Sequence, residues 1–243
     1  MNKKSVFIDI DGCITPGKNI SVPWEHIKVL QKTLKENHTY YEYIIVTARP
    51  ASYAEAVVQF LGLMDKNTHK YAICESGAVC HLFGSDTYSI SEDVDHDLLS
   101  DYENNLRRLE KVYKFRLEDG RKRTITALAA EGQSVKGLSM LIKEYMPEGL
   151  EMHCSAGGID IIPAKVDKAV AVQELVKKMK INLDESISIG DSGGDVPLMK
   201  IIGFPTCPSN ATENVKELVR ERNGYIAKNP YALGVVEILE HYK

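Results

Sequence analysis

Short apolar runs alternate with amphipathic segments along most of the chain. Four of these runs have the length of buried strands: residues 6–8, 43–46, 71–74 and 186–189. After the first run, Trp24, Ile27, Leu30 and Leu34 recur at helical spacing, and similar segments follow the second run and precede the fourth. Strands that alternate with helices are typical of a parallel sheet. The pattern therefore predicts an α/β core.

The pattern changes between residues 81 and 162. An acidic stretch leads into a predicted charged helix at residues 95–113, and further predicted elements follow: a strand at 123–128, a helix at 135–145, and strands at 150–153 and 159–162. These elements predict a smaller α+β domain, residues 81–162, inserted into a Rossmann-like parallel-sheet core that residues 1–80 and 163–243 form.

Composition and charge limit the class of protein. The 243 residues suit one large domain or a domain that carries a second, smaller one. A net charge of -4 gives no electrostatic reason to expect nucleic acid or an anionic membrane as a partner. No apolar run approaches the ~20 residues of a membrane span. Five cysteines without metal-type spacing, and acids that interrupt the first apolar run, predict a cytoplasmic protein. The sequence leaves the oligomeric state open.

Chemically active side chains follow the predicted strands. Asp9 and Asp11 follow the first strand, Thr47 follows the second, and Asp191 and Asp195 follow the fourth. The ends of parallel strands meet at one edge of the sheet, so four carboxylates and a hydroxyl should gather there. Their mutual repulsion requires a cation, and Mg²⁺ prefers carboxylate oxygens while keeping positions for water or phosphate.

This ordered set resembles the motifs of the haloacid dehalogenase (HAD) superfamily of phosphatases. The Asp-x-Asp-Gly motif corresponds to residues 9–12, the threonine of the second motif to Thr47, the lysine that opens a helix to Lys168, and the Gly-Asp-x-x-x-Asp motif to residues 190–195. Three further segments resemble the Cof-type and sucrose-phosphatase-like branch, which includes phosphoglycolate phosphatase-like proteins: residues 75–78, 209–211 and 234–237. The resemblance implies that the insert is a C2-type cap.

The resemblance also implies roles for individual residues. Asp9 would be the nucleophile that forms an aspartyl-phosphate, and Asp11 the general acid and base. Mg²⁺ would be held by Asp9, Asp191, Asp195 and the backbone carbonyl of Asp11.

Thr47 and Lys168 would bind the phosphate oxygens, and Lys168 would also stabilise the charge on Asp9. Further contacts with phosphate or substrate are expected from Ala48, Arg49 and Asn210.

Several positions allow two interpretations. Lys165 competes with Lys168 for the third motif, although Lys168 has the helix-start position and the family spacing. Arg49 could instead be an exposed loop arginine. The charge run at residues 121–123 could contact a second anionic group of the substrate or form a solvated turn. The branch usually has threonine at Cys13 and asparagine at Gly194, and these departures affect substrate detail only.

The function predicted from these residues is a Mg²⁺-dependent phosphatase that acts on a small cytosolic metabolite, with phosphoglycolate or a sugar phosphate as leading candidates. A phosphomutase of the same superfamily is an alternative, because it uses the same motifs and returns the phosphoryl group to substrate. A second alternative is a phospho-acceptor regulatory module, since receiver domains also gather aspartates, a hydroxyl and a lysine on a parallel sheet. Those modules are shorter, at about 120 residues, and have no cap.

Overall fold

A computed structural model describes residues 3–17, 20–64, 71–83, 88–90, 95–155 and 158–243. The strands in these ranges are β1 (Lys4–Ile8), β2 (Tyr41–Val46), β3 (Tyr71–Cys74), β4 (Val79–Leu82), β5 (Tyr88–Ile90), β6 (Phe115–Leu117), β7 (Ile125–Ala129), β8 (Leu150–Ser155), β9 (Gly158–Pro163), β10 (Ile187–Ile189), β11 (Phe204–Cys207) and β12 (Tyr225–Ile226). The helices are α1 (Trp24–Glu36), α2 (Ala51–Phe60), α3 (His96–Glu110), α4 (Val135–Glu144), α5 (Lys168–Met179), α6 (Val196–Ile201), α7 (Glu213–Glu221) and α8 (Tyr231–His241). Among them, none is long and apolar enough to cross a membrane.

The chain forms two compact units. The first contains Met1–Ser89 and Asp167–Lys243, and the second contains Ile90–Val166. The first unit is built on an eight-stranded sheet with the order β12-β11-β10-β1-β2-β3-β4-β5. Neighbouring strands from β12 to β3 pair in parallel, whereas β4 is antiparallel to β3. Strand β1 therefore lies inside the sheet, with β10 on one side and β2 on the other.

Both faces of this sheet are covered, which explains why its strands are apolar throughout. Successive strand residues point to opposite faces. Ile8 packs in a core with Leu30 of α1 and Val235 of α8, whereas Phe7 packs in a second core with Val172 of α5. Each fully buried side chain of this size contributes about 1.5–3 kcal/mol. The predicted α/β class with a parallel sheet is confirmed.

Helix α1 buries the face that its sequence predicts, except at its first residue. Ile27, Leu30 and Leu34 are buried, but Trp24 is 56% exposed. The Trp24 ring packs edge-on against Phe60, which is itself 57% exposed, with 5.8 Å between the ring centroids. Trp24 begins the helix, so it lies beyond the last layer of core side chains, and its apolar character alone could not show this.

The second unit is a four-stranded antiparallel sheet with the order β6-β7-β9-β8. Its core joins one side of the sheet to α3 and α4, with Leu106, Ile142 and Ile161 among the fully buried residues. Asp95 caps α3, because its carboxylate accepts a hydrogen bond from the backbone N–H of Leu98 at 3.0 Å. The predicted acidic stretch before α3 falls partly on residues outside the described ranges.

Strands β4 and β5 extend the sheet of the first unit. The division between the two units thus falls at residues 89/90 and 166/167. The domain boundaries expected from the sequence pattern, at residues 81 and 162, stay predictions.

Candidate active site

A loop that begins at Asp9 and includes Gly12 leaves the sheet directly after β1, and we call it the first site loop. Asp9 is buried, its N–H donates to the carbonyl of Ile189 in β10 at 3.0 Å, and its Oδ1 accepts from the N–H of Ile10 at 2.7 Å. Gly12 turns the chain with φ +80°, a conformation that L side chains rarely adopt. A Cβ at this position would overlap the carboxylate of Asp191. Glycine is therefore needed here both for the turn and for the close approach.

Parallel pairing brings the ends of three strands to one edge. Ile8 of β1 pairs with Ile189 of β10 and with Ile45 of β2. The residues that follow these partners, including Asp9, Asp191 and Thr47, consequently emerge on the same side of the sheet. This is the arrangement that the alternation of strands and helices predicts.

Lys168 enters the same site from the start of α5. Asp167 caps the helix through a hydrogen bond from the N–H of Val170 to its Oδ1 at 2.8 Å. The Lys168 Nζ lies 2.6 Å from Asp195 Oδ1 and 3.1 Å from Asp9 Oδ2. Burial lowers the pKa of the Lys168 ammonium, but the adjacent Asp195 and Asp9 carboxylates outweigh burial and raise it above the ordinary value. Lys168 is therefore a buried cation between two acids.

Asp195 connects Lys168 to the loop after β10. Its Oδ2 accepts hydrogen bonds from the backbone N–H groups of Asp191 at 3.0 Å and Ser192 at 3.1 Å. Its other carboxylate oxygen contacts Lys168. One aspartate thus fixes both the loop that carries Asp191 and the position of the ammonium.

Three acids of this site could hold a metal ion. Each of Asp9, Asp191 and Asp195 offers a carboxylate oxygen, and these three oxygens lie within 4.8 Å of one another. Burial and then the neighbouring Asp195 and Asp11 carboxylates raise the pKa of Asp9, against the opposing effect of Lys168, to about 7. Burial and then the charge of Asp9 raise the pKa of Asp191 to about 8. Lys168 alone does not neutralise this cluster, and a hard divalent cation fits its oxygen ligands.

The Asp11 carboxylate points to a different partner. It forms a bidentate ion pair with Arg49, with Arg49 Nε 2.5 Å from Asp11 Oδ2 and Nη2 2.9 Å from Oδ1. The Arg49 guanidinium also lies over the ring of Tyr53, 4.5 Å from its centroid. The structure therefore brings Arg49 to the proposed acid and base, a pairing that the sequence interpretation missed. Its only signal was the position of Arg49 two residues after Thr47.

Thr47 and Ala48 form the turn that carries Arg49. Thr47 is buried, its N–H donates to the carbonyl of Ile73 in β3 at 2.8 Å, and its Oγ1 accepts from the N–H of Arg49 at 3.1 Å. Ala48 is half-buried in the same turn. The hydroxyl predicted to bind phosphate is thus held at the end of β2 by its own loop.

The Asn210 side chain contacts the backbone at two other positions of the chain. Its Nδ2 donates to the carbonyl of Gly12 at 2.8 Å, and its Oδ1 accepts from the N–H of Tyr231 at 2.9 Å. Both ends of the side-chain amide are therefore used to brace the first site loop against the start of α8. A contact of Asn210 with substrate stays a prediction.

Comparison with known proteins now assigns the family. A family model of haloacid dehalogenase-like hydrolases matches residues 82–239, which is more than half of the chain. The chain belongs to this family. The phosphoglycolate phosphatase of Methanosarcina mazei is 26% identical to this hydrolase over 248 residues, which cover 99% of this chain and 96% of that protein.

Solved structures that share the fold of this hydrolase include two enzymes. A haloacid dehalogenase-like hydrolase from Bacteroides thetaiotaomicron has a TM-score of 0.77 at 14% identity, with 100% of both chains covered. The sucrose-phosphatase from Synechocystis, solved in complex with sucrose and phosphate, has a TM-score of 0.69 at 17% identity and covers 100% of this chain and 98% of its own. The predicted superfamily and the predicted enzyme class, a phosphatase, are confirmed.

The two departures from the family motifs are accommodated locally. The thiol of Cys13 is buried and donates to the carbonyl of Ile189 with a sulfur–oxygen distance of 3.7 Å. A Cβ on Gly194 would meet no atom within 4 Å, so there is open space where the branch that the sequence resembles usually carries asparagine. Neither position supplies a group to the cluster around Lys168.

The alternative lysine and the charge run lie in other surroundings. Lys165 is exposed, in contrast to Lys168. Arg121 is buried in the second unit, where its Nε and Nη2 lie 3.1 and 2.9 Å from Glu118 Oε2, and Nη2 lies 3.6 Å from Asp160 Oδ1. This arginine therefore belongs to an internal ion-pair cluster, and its contact with a substrate anion stays a prediction.

Proposed function

We propose that this hydrolase is a Mg²⁺-dependent phosphomonoesterase that acts through Asp9 on a small phosphorylated metabolite. The observation that carries the proposal is the position of the buried Lys168 ammonium, 3.1 Å from Asp9 Oδ2 and 2.6 Å from Asp195 Oδ1, at the strand edge where the acidic triad lies. A carboxylate beside a fixed ammonium is suited to attack an anionic phosphate, because the ammonium offsets the repulsion between them.

The proposed reaction has two displacements at phosphorus. An Asp9 carboxylate oxygen forms a bond to phosphorus, the bond from phosphorus to the leaving oxygen breaks, and Asp11, in its protonated form, donates its proton to that oxygen. Asp11 then takes a proton from a water molecule whose oxygen attacks phosphorus, and the bond to Asp9 breaks. The products are the alcohol and inorganic phosphate, and both aspartates return to their starting forms. Thr47 and Lys168 bind the non-bridging oxygens in both steps.

The residues that would hold Mg²⁺ are Asp9, Asp191 and Asp195, with the backbone carbonyl of Asp11 as a further oxygen ligand. The fit is supported by the three carboxylate oxygens within 4.8 Å and by the raised pKa values of Asp9 and Asp191. When bound, the cation offsets the negative charge of nucleophile and phosphate. In this structure Asp195 contacts Lys168, and Arg49 pairs with Asp11.

We propose phosphoglycolate or a sugar phosphate as the substrate, and the cytoplasm as the location. The relatives named as phosphoglycolate phosphatases and the structural likeness to a sucrose-phosphatase support this substrate class. The second unit would act as a C2-type cap that selects the substrate. Five free cysteines support a reducing compartment.

The test is a panel of small phosphate esters, including phosphoglycolate and hexose phosphates, assayed for phosphate release with and without Mg²⁺. We expect turnover of at least one ester that requires Mg²⁺ and is lost in Asp9→Asn, with the far-ultraviolet circular dichroism unchanged. Exchange between hexose phosphate isomers on addition of a hexose bisphosphate, with little phosphate released, would instead identify a mutase. Substantial phosphatase activity in a clean Asp9→Asn preparation would overturn the role of Asp9.

A further inference from the structure

The segment after β3 has a rare backbone conformation that the reaction above leaves unexplained. Glu75, Ser76 and Gly77 have φ values of +49°, +58° and +109° in succession. The left-handed region is costly for residues other than glycine, at about 1–2 kcal/mol each, and such conformations persist only where the surroundings impose them. Glu75 is buried, although it lies in a turn. This segment, which we name the 75–77 turn, is held by contacts on two sides.

One side of the 75–77 turn holds the loop that carries Thr47. The N–H of Ser76 donates to the carbonyl of Thr47 at 3.1 Å, and the N–H of Glu75 donates to the carbonyl of Arg49 at 3.0 Å. Two successive N–H groups of the turn thus bind the same loop. The turn therefore fixes the backbone at both the phosphate-binding hydroxyl and the arginine that pairs with Asp11.

The other side of the turn touches the start of α5. A Cβ on Gly77 would overlap the carbonyl oxygen of Asp167 and would lie 2.7 Å from its carbonyl carbon. Asp167 caps α5, its carbonyl accepts a hydrogen bond from the N–H of Ala171 at 3.2 Å, and the next residue is Lys168. Only glycine allows the turn to approach the helix this closely.

We propose that the 75–77 turn is a positioning element that holds the Thr47 loop and the start of α5 at a fixed separation. The Thr47 hydroxyl and the Lys168 ammonium can then bind the same phosphate. This inference rests on the proposed function and adds to it a set of residues that act by positioning the binding groups. Misplacing a binding group by about 1 Å can cost a factor of about 10² in rate, which is the scale expected when the turn is disturbed.

The test uses Gly77→Ala with Gly62→Ala as its matched control. Gly62 also has a left-handed φ, +71°, but a Cβ there meets no atom within 4 Å, so the control has the backbone penalty without the collision. The measurements, on the full chain with Mg²⁺, are kcat/KM for p-nitrophenyl phosphate and the calorimetric Kd of tungstate, an inert tetrahedral oxyanion. We expect Gly77→Ala to weaken tungstate binding at least about tenfold and to lower kcat/KM by about 10²-fold. Gly62→Ala should stay within twofold of the unmodified protein.

A double-mutant cycle separates positioning from general damage. If Gly77 acts through Lys168, adding Gly77→Ala to Lys168→Met should change the Kd of tungstate by no more than about twofold. The inference would be overturned if the double variant lost tungstate affinity by the product of the two single losses. It would also be overturned if Gly77→Ala and Gly62→Ala lost the same affinity. If the unmodified protein neither hydrolyses the ester nor binds tungstate, the proposed function fails and the inference fails with it.

A second pair of variants keeps the test decisive if Gly77→Ala does not fold. Ser76→Gly accepts the left-handed conformation, whereas Ser76→Val strongly resists it. We expect Ser76→Gly to bind tungstate within twofold of the unmodified protein and Ser76→Val to lose at least about tenfold. Equal affinities in this pair would refute a positioning role for the turn.

Discussion

Replacing Lys168 by methionine removes the ammonium from the centre of the site while it keeps most of the side-chain volume. The Nζ is 2.6 Å from Asp195 and 3.1 Å from Asp9, and the side chain is only 4% exposed. At an effective dielectric constant of about 20, each attraction is about 5–6 kcal/mol. The cost of burying the ammonium offsets much of this sum, and removing one partner of a buried ion pair typically destabilises by about 3–5 kcal/mol.

We therefore expect Lys168→Met to lower the free energy of unfolding by about 3–5 kcal/mol without metal, and kcat by about 10²–10³ with Mg²⁺. The stability loss should be smaller at pH 5 than at pH 8. The folded-state pKa of Asp9, about 7, lies above its ordinary value, so Asp9 binds a proton at the lower pH and no longer needs a cation beside it.

The assay is urea unfolding at both pH values in the presence of a chelator, with phosphate release measured separately. Lys165→Met is the matched control, because Lys165 is exposed and should change stability by less than about 0.5 kcal/mol. The reasoning would be refuted if Lys168→Met were as stable and as active as Lys165→Met. A stability loss that was equal at pH 5 and pH 8 would contradict the assigned electrostatic cause.

Three other predictions concern single positions. The Ser188 Oγ is buried and has no hydrogen-bond partner among the residues that the structure describes, so Ser188→Ala should stabilise the protein by about 1 kcal/mol in urea unfolding. Its control, Ser186→Ala, loses a 2.6 Å hydrogen bond and should destabilise the protein by a similar amount. Partial burial raises the pKa of Glu237, but hydrogen bonds from two backbone amides, a tyrosine and an asparagine outweigh it and lower the pKa to about 2. The ionised carboxylate contributes its full stabilisation above pH 4.5, so Glu237→Gln should lower the free energy of unfolding by about 1 kcal/mol at pH 7. In acid unfolding, the difference in stability between this variant and the unmodified protein should shrink as the pH falls towards 2. Gly12→Ala should lower kcat/KM by at least about 10², because its Cβ would displace the Asp191 carboxylate, and unchanged kinetics would contradict that geometry.

The sequence predicts the sheet and the gathering of acids because both follow from local patterns. Apolar runs that end in polar residues identify β1 and β10, and parallel pairing then brings Asp9 and Asp191 to one edge. The helix-start position of Lys168 likewise distinguishes it from the exposed Lys165.

The contacts around these residues depend on side-chain reach between distant segments, which periodicity does not encode. The ion pair of Arg49 with Asp11 spans 38 positions, and the hydrogen bond from Asn210 to Gly12 spans 198. The close approach of Gly77 to Asp167 is a further example, since only the folded backbone shows why glycine is required there.

The most direct test of the proposed chemistry is to trap the covalent intermediate on Asp9. p-Nitrophenyl [³²P]phosphate is mixed with the Mg²⁺-loaded enzyme and quenched in acid within the first turnover. Our account predicts protein-bound label that approaches one phosphoryl group per chain, is released by hydroxylamine as an acyl phosphate should be, maps to the peptide that contains Asp9, and is absent in Asp9→Asn. Turnover without protein-bound label, or label on any other residue, would contradict it.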